Sequence, residues 1–455
     1  MKRIHALTLM AAVSWLVSMA VAQSPCPTQV LQGSNATTSR DLICLVPQVY
    51  GPGGLVGQNN GGPLQTTVGH EVHFQASSIS SFGPLNSEVG IALSQLPIAP
   101  PVAAGFIISG GTLTQAEGFG PILSERADTV GRHRLFVGAS YQFFQFDKVD
   151  GIDIRNFGVV LTHESEPGNP VFTNDIIATQ NRIDLKVHQM TFVATYGVTR
   201  ALDISVAVPV LDVRMGVTSK ATIFNFESPP VNHQFLPTPE PNETLIGPYD
   251  ALFTNSHAAM GIGDVTIRAK LRAWQSQNER SALAVGVDVR LPSGDANNFL
   301  GAGTWGVRPF ATISHTGRFV TPHSSLGFQG NGDSVLPGAV TTQPVTKAKM
   351  PDVFSYAAGA DVGFAHRISF TGDFIGQTLL HAPKISKTTY TDFAGGMHDN
   401  VAPAIDTVTQ LSIAAGGKLR VAGQLLLVGN VLFRLNDAGL HSRPAPLVGL
   451  SYTFR

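Results

Sequence analysis

The stretch Leu283-Ala284-Val285-Gly286-Val287-Asp288-Val289-Arg290-Leu291 alternates without a break. Leu283, Val285, Val287, Val289 and Leu291 fall on one face, and Ala284, Gly286, Asp288 and Arg290 on the other. A period of two is the signature of a strand with two unlike faces. The same split sets Ile368, Phe370 and Phe374 opposite Ser369, Thr371, Asp373 and Gln377. It returns with Leu425, Leu427, Val431 and Phe433 against Gln424, Asn430 and Arg434.

Working outward, such segments occupy 132–147, 181–197, 200–214, 261–274, 280–292, 304–315, 318–329, 352–365, 367–380, 405–418, 420–435 and 444–454. Each is at least as long as the ~10 residues a tilted strand needs to cross a bilayer. The connections alternate in length. Those near Thr199, Gln277, Gly317, His366 and Leu419 are tight, and 148–180, 215–260, 293–303, 330–351, 381–404 and 436–443 are mostly long. Short periplasmic turns and longer outer loops are the habit of outer-membrane barrels. A further stretch, 152–161, would make the count odd and break the turn order, so it is assigned to the first external loop. The reading is all-β: a transmembrane antiparallel barrel of about twelve strands over 132–455. A soluble sandwich would also alternate, with its apolar face inward. Strand length, turn asymmetry and the N-terminus favour the membrane.

At that N-terminus, Lys2, Arg3 and His5 precede an apolar run from Ala6 to Val17, followed by Ala20-Val21-Ala22. This order reads as a signal peptide over 1–22, cut after Ala22, with an apolar core short for a spanning helix. Cys26 and Cys44 are then expected to pair as a disulfide in an oxidising compartment. From 23 to 131 no period is sustained, and Tyr50–Pro63 is dense in Gly, Pro and Asn. This irregular segment is read as a plug or a periplasmic pad. Thirty basic against 31 acidic residues, with charged residues only 13% of the chain, leave no field for nucleic acid. A hydrophobic content of 43% argues against disorder.

Three motifs carry a family likeness. They are Phe119-Gly120-Pro121-Ile122-Leu123-Ser124-Glu125-Arg126-Ala127 before the first strand, Gly261-Ile262-Gly263-Asp264-Val265 at a strand start, and Val289-Arg290-Leu291-Pro292-Ser293-Gly294-Asp295 at a strand end. From about Phe119 onward the chain resembles the outer-membrane barrels grouped as putative MetA-pathway of phenol degradation, relatives of hydrophobic-compound transporters. The closing Val448, Leu450, Tyr452 and Phe454 resemble the terminal strand signal of outer-membrane proteins. The likeness implies a barrel near aromatic catabolism. Its motifs lie at strand edges and perform no chemistry.

Candidate chemical motifs have plainer readings. Gly261 to Asp264 lacks the helix and lysine–serine pair of a phosphate loop. His323 and Ser325 resemble the pair of the outer-membrane phospholipase, but Val320, Leu326 and Phe328 mark the lipid face and turn them to the lumen. His70 and His73 have no matching ligand spacing, so neither metal nor cofactor is expected. Trp274, Trp305, Tyr141, Tyr356 and Tyr452 suit aromatic girdles.

Function therefore rests on the inward polar set: Asp264, Arg268, Lys270, Arg272, Asp288, Arg290, Asp373, Gln377, Gln424, Asn430 and Arg434. An Arg or Lys facing mid-membrane lipid costs ~2–4 kcal/mol, so these residues are assigned to the lumen. They either line a path for small hydrophobic or aromatic solutes or pair to fill the lumen of a structural or adhesive barrel. No enzyme is expected. The expected partners are outer-membrane lipid, a small-molecule solute and the barrel-assembly machinery.

Overall fold

All twelve segments are strands, and they close on themselves. The computed structural model describes residues 26, 39–51, 55, 57–59, 74–96, 106–109, 112–115, 125–163, 174–226, 233–235, 243–338, 346–364 and 368–454. The proposed signal peptide, most of the motif before the first strand, and the turn near His366 lie outside these residues. The barrel strands are β1 (Leu135–Val149), β2 (Ile176–Gly197), β3 (Leu202–Phe224), β4 in two pieces (Asp250–Ile262 and Thr266–Gln275), β5 (Ser281–Arg290) and β6 (Gly306–His315). They continue as β7 (Val320–Asn331), β8 (Asp352–Phe364), β9 (Ile368–Thr391), β10 (Met397–Ala422), β11 (Leu425–Arg434) and β12 (Ala445–Phe454). Each pairs antiparallel with its neighbours. β12 closes on β1 from Leu447↔Gln142 to Phe454↔Leu135, which leaves no free edge in the ring.

The pleat sorts the side chains as the alternation demands. Val285 and Val287 stand 41% and 36% exposed on the outside, while Asp288 and Arg290 on the other face of the same strand are buried inside. Leu326, Phe328, Phe370, Phe433, Val448 and Leu450 continue the exposed apolar exterior. A soluble barrel would bury that face. An apolar belt around an even number of strands with no edge is an outer-membrane barrel. No helix among the described residues is long and apolar enough to cross a membrane.

Beyond the belt the structure departs from the expected loops. β2 and β3 run for 22 and 23 residues, and β9 and β10 for 24 and 26. Thus much of 215–260 and 381–404 is ladder rather than loop. Out of the bilayer neither face need be apolar, so Lys384, Ser386, Lys387, Thr388 and Thr389 keep β pairing without the signal that marks it. The stretch 152–161 likewise contains a strand, Phe157–Thr162, paired with Asn181–Ile176 on the outer extension of β2. It lies outside the ring and leaves the count at twelve.

Among the described residues three helices precede the barrel: α1 (Leu42–Leu45), α2 (Gln75–Ser80) and α3 (Gly83–Ser94). They pack within it. All four residues of α1 are buried, and the sulfurs of Cys26 and Cys44 are bonded, tying residue 26 to α1. Asn298 in the outer loop after β5 accepts the Leu42 amide at 3.1 Å. Gly90 sets α3 against Phe299 and Leu336, where a Cβ would lie 2.9 Å from the Phe299 ring.

Candidate channel interior

The lumen has two unlike walls. On one, formed by β4, β5, β6 and β8, charges are paired to each other and to the segment Glu125–Val130, a strap that descends inside the barrel to the start of β1. Glu125 meets Arg268 Nη1 at 2.6 Å and Lys270 Nζ at 3.1 Å. Burial works against the Glu125 charge, but these two cations outweigh it and hold its carboxyl below the usual range. Asp288 is bracketed by Arg268 at 2.6 Å and Arg308 at 2.7 Å. Arg126 pairs with Asp361, which also accepts from Lys418 at 2.6 Å. The strap backbone is fixed as well. The Ala127 amide donates to Ser314 Oγ, the Val130 amide to Asp203 Oδ2, and Thr129 Oγ1 to the Arg200 carbonyl in the turn between β2 and β3.

The expected lumen residues divide accordingly. Arg268, Lys270 and Asp288 form the ion cluster. Asp373 lies 2.7 Å from His323 Nε2, with Asp361 3.9 Å from His323 Nδ1. His323 is thus engaged with carboxylates of β8 and β9. Asp264 sits in the break of β4, where it accepts the amides of Gly294 and Ala302, with Arg290 at 3.6 Å. Arg290 also donates to Asn331 at 2.8 Å and to the Ser94 carbonyl at the end of α3 at 3.5 Å. Arg272 is on the periplasmic rim, donating to the Arg200 carbonyl at 2.9 Å. Gln424 falls in the turn between β10 and β11 rather than on the wall.

The opposite wall, formed by β1, β11 and β12, is differently made. Gln142 and Asn430 flank Leu447 on adjacent strands, and their side-chain amides have no partner among the described residues. The buried Ser451 hydroxyl, four residues nearer the periplasm, is also unpartnered among them. On the extracellular side of this pair is a cavity of about 60 Å³ between the end of α3 and the wall. Gln377 and Arg434 border it.

The N-terminal contacts have no signature in the sequence pattern. Glu88 on α3 is 4% exposed and lies beside Asp150. Burial, and then the Asp150 charge, push its carboxyl up to about 10. Asp150 itself accepts the amides of Ile385 and Gly439 at 3.0 and 2.8 Å. Further out, His233 and Asp175 are bonded at 2.7 Å, with Phe74 edge-on to His233 and His163. An isolated Glu in an aperiodic segment gives no sign of what it will meet.

The chain is similar to one described family and to several solved structures. Residues 176–397 match the family described as "Putative MetA-pathway of phenol degradation". The match is to that stretch of the chain, just under half of its length. It spans β2 to the start of β10 and holds the ion-paired wall, while the strap, β1, β11 and β12 lie outside it. Among solved structures, an outer membrane channel from Pseudomonas putida F1 is similar at 11% identity and a TM-score of 0.43, covering 72% of this chain and 98% of that one. The CymD monoaromatic hydrocarbon channel is similar at 9% identity and 0.31, covering 78% and 97%. A Pseudomonas aeruginosa FadL homologue gives 9% and 0.29, covering 70% and 89%. No relative is found among proteins of curated function.

Proposed function

We propose that the barrel is an outer-membrane channel for small hydrophobic or aromatic solutes, gated by its own N-terminal segment. The observation that carries this reading is the asymmetry of the lumen. The strap is bound to one side by ion pairs and hydrogen bonds, while the wall carrying Gln142, Asn430 and Ser451 presents polar groups with no partner among the described residues. Buried polar groups are ordinarily paired, so such a row is suited to solvent or a passing solute. The plugging segment is continuous with the barrel at the start of β1, and its ladder with the outer loop, Gly57–Asn59 on His233–Phe235, lies outside the ring, so it can move without unpairing a barrel strand. The family's description places its members near phenol degradation, which fits a monoaromatic solute.

A second reading, a structural barrel with a filled lumen, draws on the pairs that wall residues make among themselves, Asp288 with Arg268 and Arg308 and Asp361 with Lys418. Refolded full-length protein in proteoliposomes separates the two. Uptake of phenol above that of protein-free vesicles, increased by Arg126→Met, supports the channel. No uptake by either protein, with both folded, favours the structural barrel.

A further inference from the structure

We infer that the cavity beside the end of α3 is a binding site for a small organic anion, a single apolar ring or short chain carrying one carboxylate. The inference rests on the channel reading for its route of entry, but not for its chemistry.

The cavity is two-natured. Phe144, Phe146 and Leu432 supply an apolar side, and Gln95, Gln377 and Arg434 a polar one. Its volume of about 60 Å³ is several times the ~10–15 Å³ that one water requires. Arg434 decides the ligand's charge. Its Nη1 donates to Gln410 Oε1 at 3.0 Å and its Nη2 to the Ala438 carbonyl at 2.8 Å, both neutral acceptors. Its Nε, like Gln95 Nε2, is buried with no partner among the described residues. The other lumen cations described above differ. Arg126, Arg268, Lys270, Arg290, Arg308 and Lys418 each have a carboxylate within 4.0 Å. The charge of Asp437 reaches Arg434 only from beyond 4.0 Å and is paired with Lys148 at 2.8 Å; a buried cation so weakly compensated is costly, and a planar guanidinium is suited to a carboxylate.

The end of α3 does not oppose this. Its last carbonyls are already occupied, Ile91 by Ser94 Oγ, Ala92 by the Gln95 amide, Leu93 by the Leu96 amide and Ser94 by Arg290. The anion would sit between Gln95 and Arg434, with its ring against Phe144 and Leu432. It would lie on the extracellular side of the unpartnered amides of Gln142 and Asn430, at the head of the proposed path.

The test is calorimetric titration of full-length protein in lipid nanodiscs with benzoate, and with benzyl alcohol as its uncharged counterpart. Benzoate should bind saturably at one site and more tightly than benzyl alcohol. Arg434→Gln should weaken benzoate by about tenfold or more, the worth of a charge-assisted hydrogen bond, and leave benzyl alcohol unchanged. Gln95→Ala, on the helix rather than the barrel, should weaken benzoate in the same direction if Arg434→Gln fails to fold. Benzoate affinity equal in wild type and both folded variants, or no saturable benzoate binding, overturns the inference. Phenol uptake in proteoliposomes keeps the two proposals apart. Uptake without saturable benzoate binding defeats the site and spares the channel, and binding without uptake does the reverse.

Discussion

Arg126 of the strap and Lys418 of β10 converge on one carboxylate, Asp361 of β8, all three deeply buried in the lumen. The arrangement makes the two sides of the contact unequal. Removing Arg126 leaves Asp361 its wall partner, whereas removing the Asp361 charge takes a directly paired carboxylate from two buried cations at once. Breaking a buried pair from the side that leaves charge uncompensated costs about 3–5 kcal/mol. Arg126→Met is therefore expected to keep the fast-migrating folded band on unheated gels while increasing conductance. Asp361→Asn is expected to lose that band at a lower temperature. Equal melting of the two variants would show that the strap, not the wall, depends on this site.

A second expectation concerns the outer face. Val287 stands on the exterior of β5, with Ala269 and Pro309 as its register partners on β4 and β6. Arginine there must enter hydrocarbon, at a cost of ~2–4 kcal/mol near the midplane. Refolding of Val287→Arg into bilayers should be destabilised by that order in a denaturant titration. A loss below about 0.5 kcal/mol would place this face in water.

The contrast between these sites shows what could be read from sequence. Alternation at Leu283–Leu291 marks the strand because one face meets lipid and the other does not. The same physics fails above the membrane, where Lys384–Thr389 is strand with both faces wet. The polar set was legible as inward, since Arg268 or Asp288 cannot face lipid cheaply. Its partners were not. Glu125 and Arg126 lie more than 100 residues from Arg268 and Asp361, and only the closed ring brings them together. Arg434 and Arg268 look alike in sequence, yet one has carboxylates and the other neutral acceptors. Gln424 alternates correctly with Leu425 and still falls in a turn, because a tight turn consumes the residue beside the strand.

Orientation follows from the ring and can be checked on intact cells. The turn between β4 and β5 holds Gln277, and the long β9–β10 hairpin ends at Asp392–His398, where Ala394 is exposed. Both native cysteines are bonded to each other, so a new cysteine is the reactive one. Ala394→Cys should react with an impermeant maleimide on whole cells, and Gln277→Cys only after the outer membrane is breached. The opposite pattern would invert the topology.

The last expectation is a pH dependence carried by Glu88. This carboxyl lies between α3 and the outer wall, beside Asp150, with the positive charge of Lys384 a weaker opposing influence. Burial and the Asp150 charge raise its folded value from the ordinary 4.5 to about 10. Over that window the docked helix retains a proton that an undocked, solvated Glu88 has lost. The docked state therefore binds more protons, and linkage requires docking to weaken as pH rises from about 4.5 towards 10. The slope for one group is at most about 1.4 kcal/mol per pH unit. Amide exchange in α3, corrected for its intrinsic pH dependence, should lose protection between pH ~6 and ~9, and conductance should rise in parallel. Glu88→Gln keeps the shape and removes the titration, so both measurements should become flat over the same range. If wild type and Glu88→Gln respond identically, another group controls docking. If neither responds and α3 stays protected throughout, Glu88 is not held neutral by its surroundings.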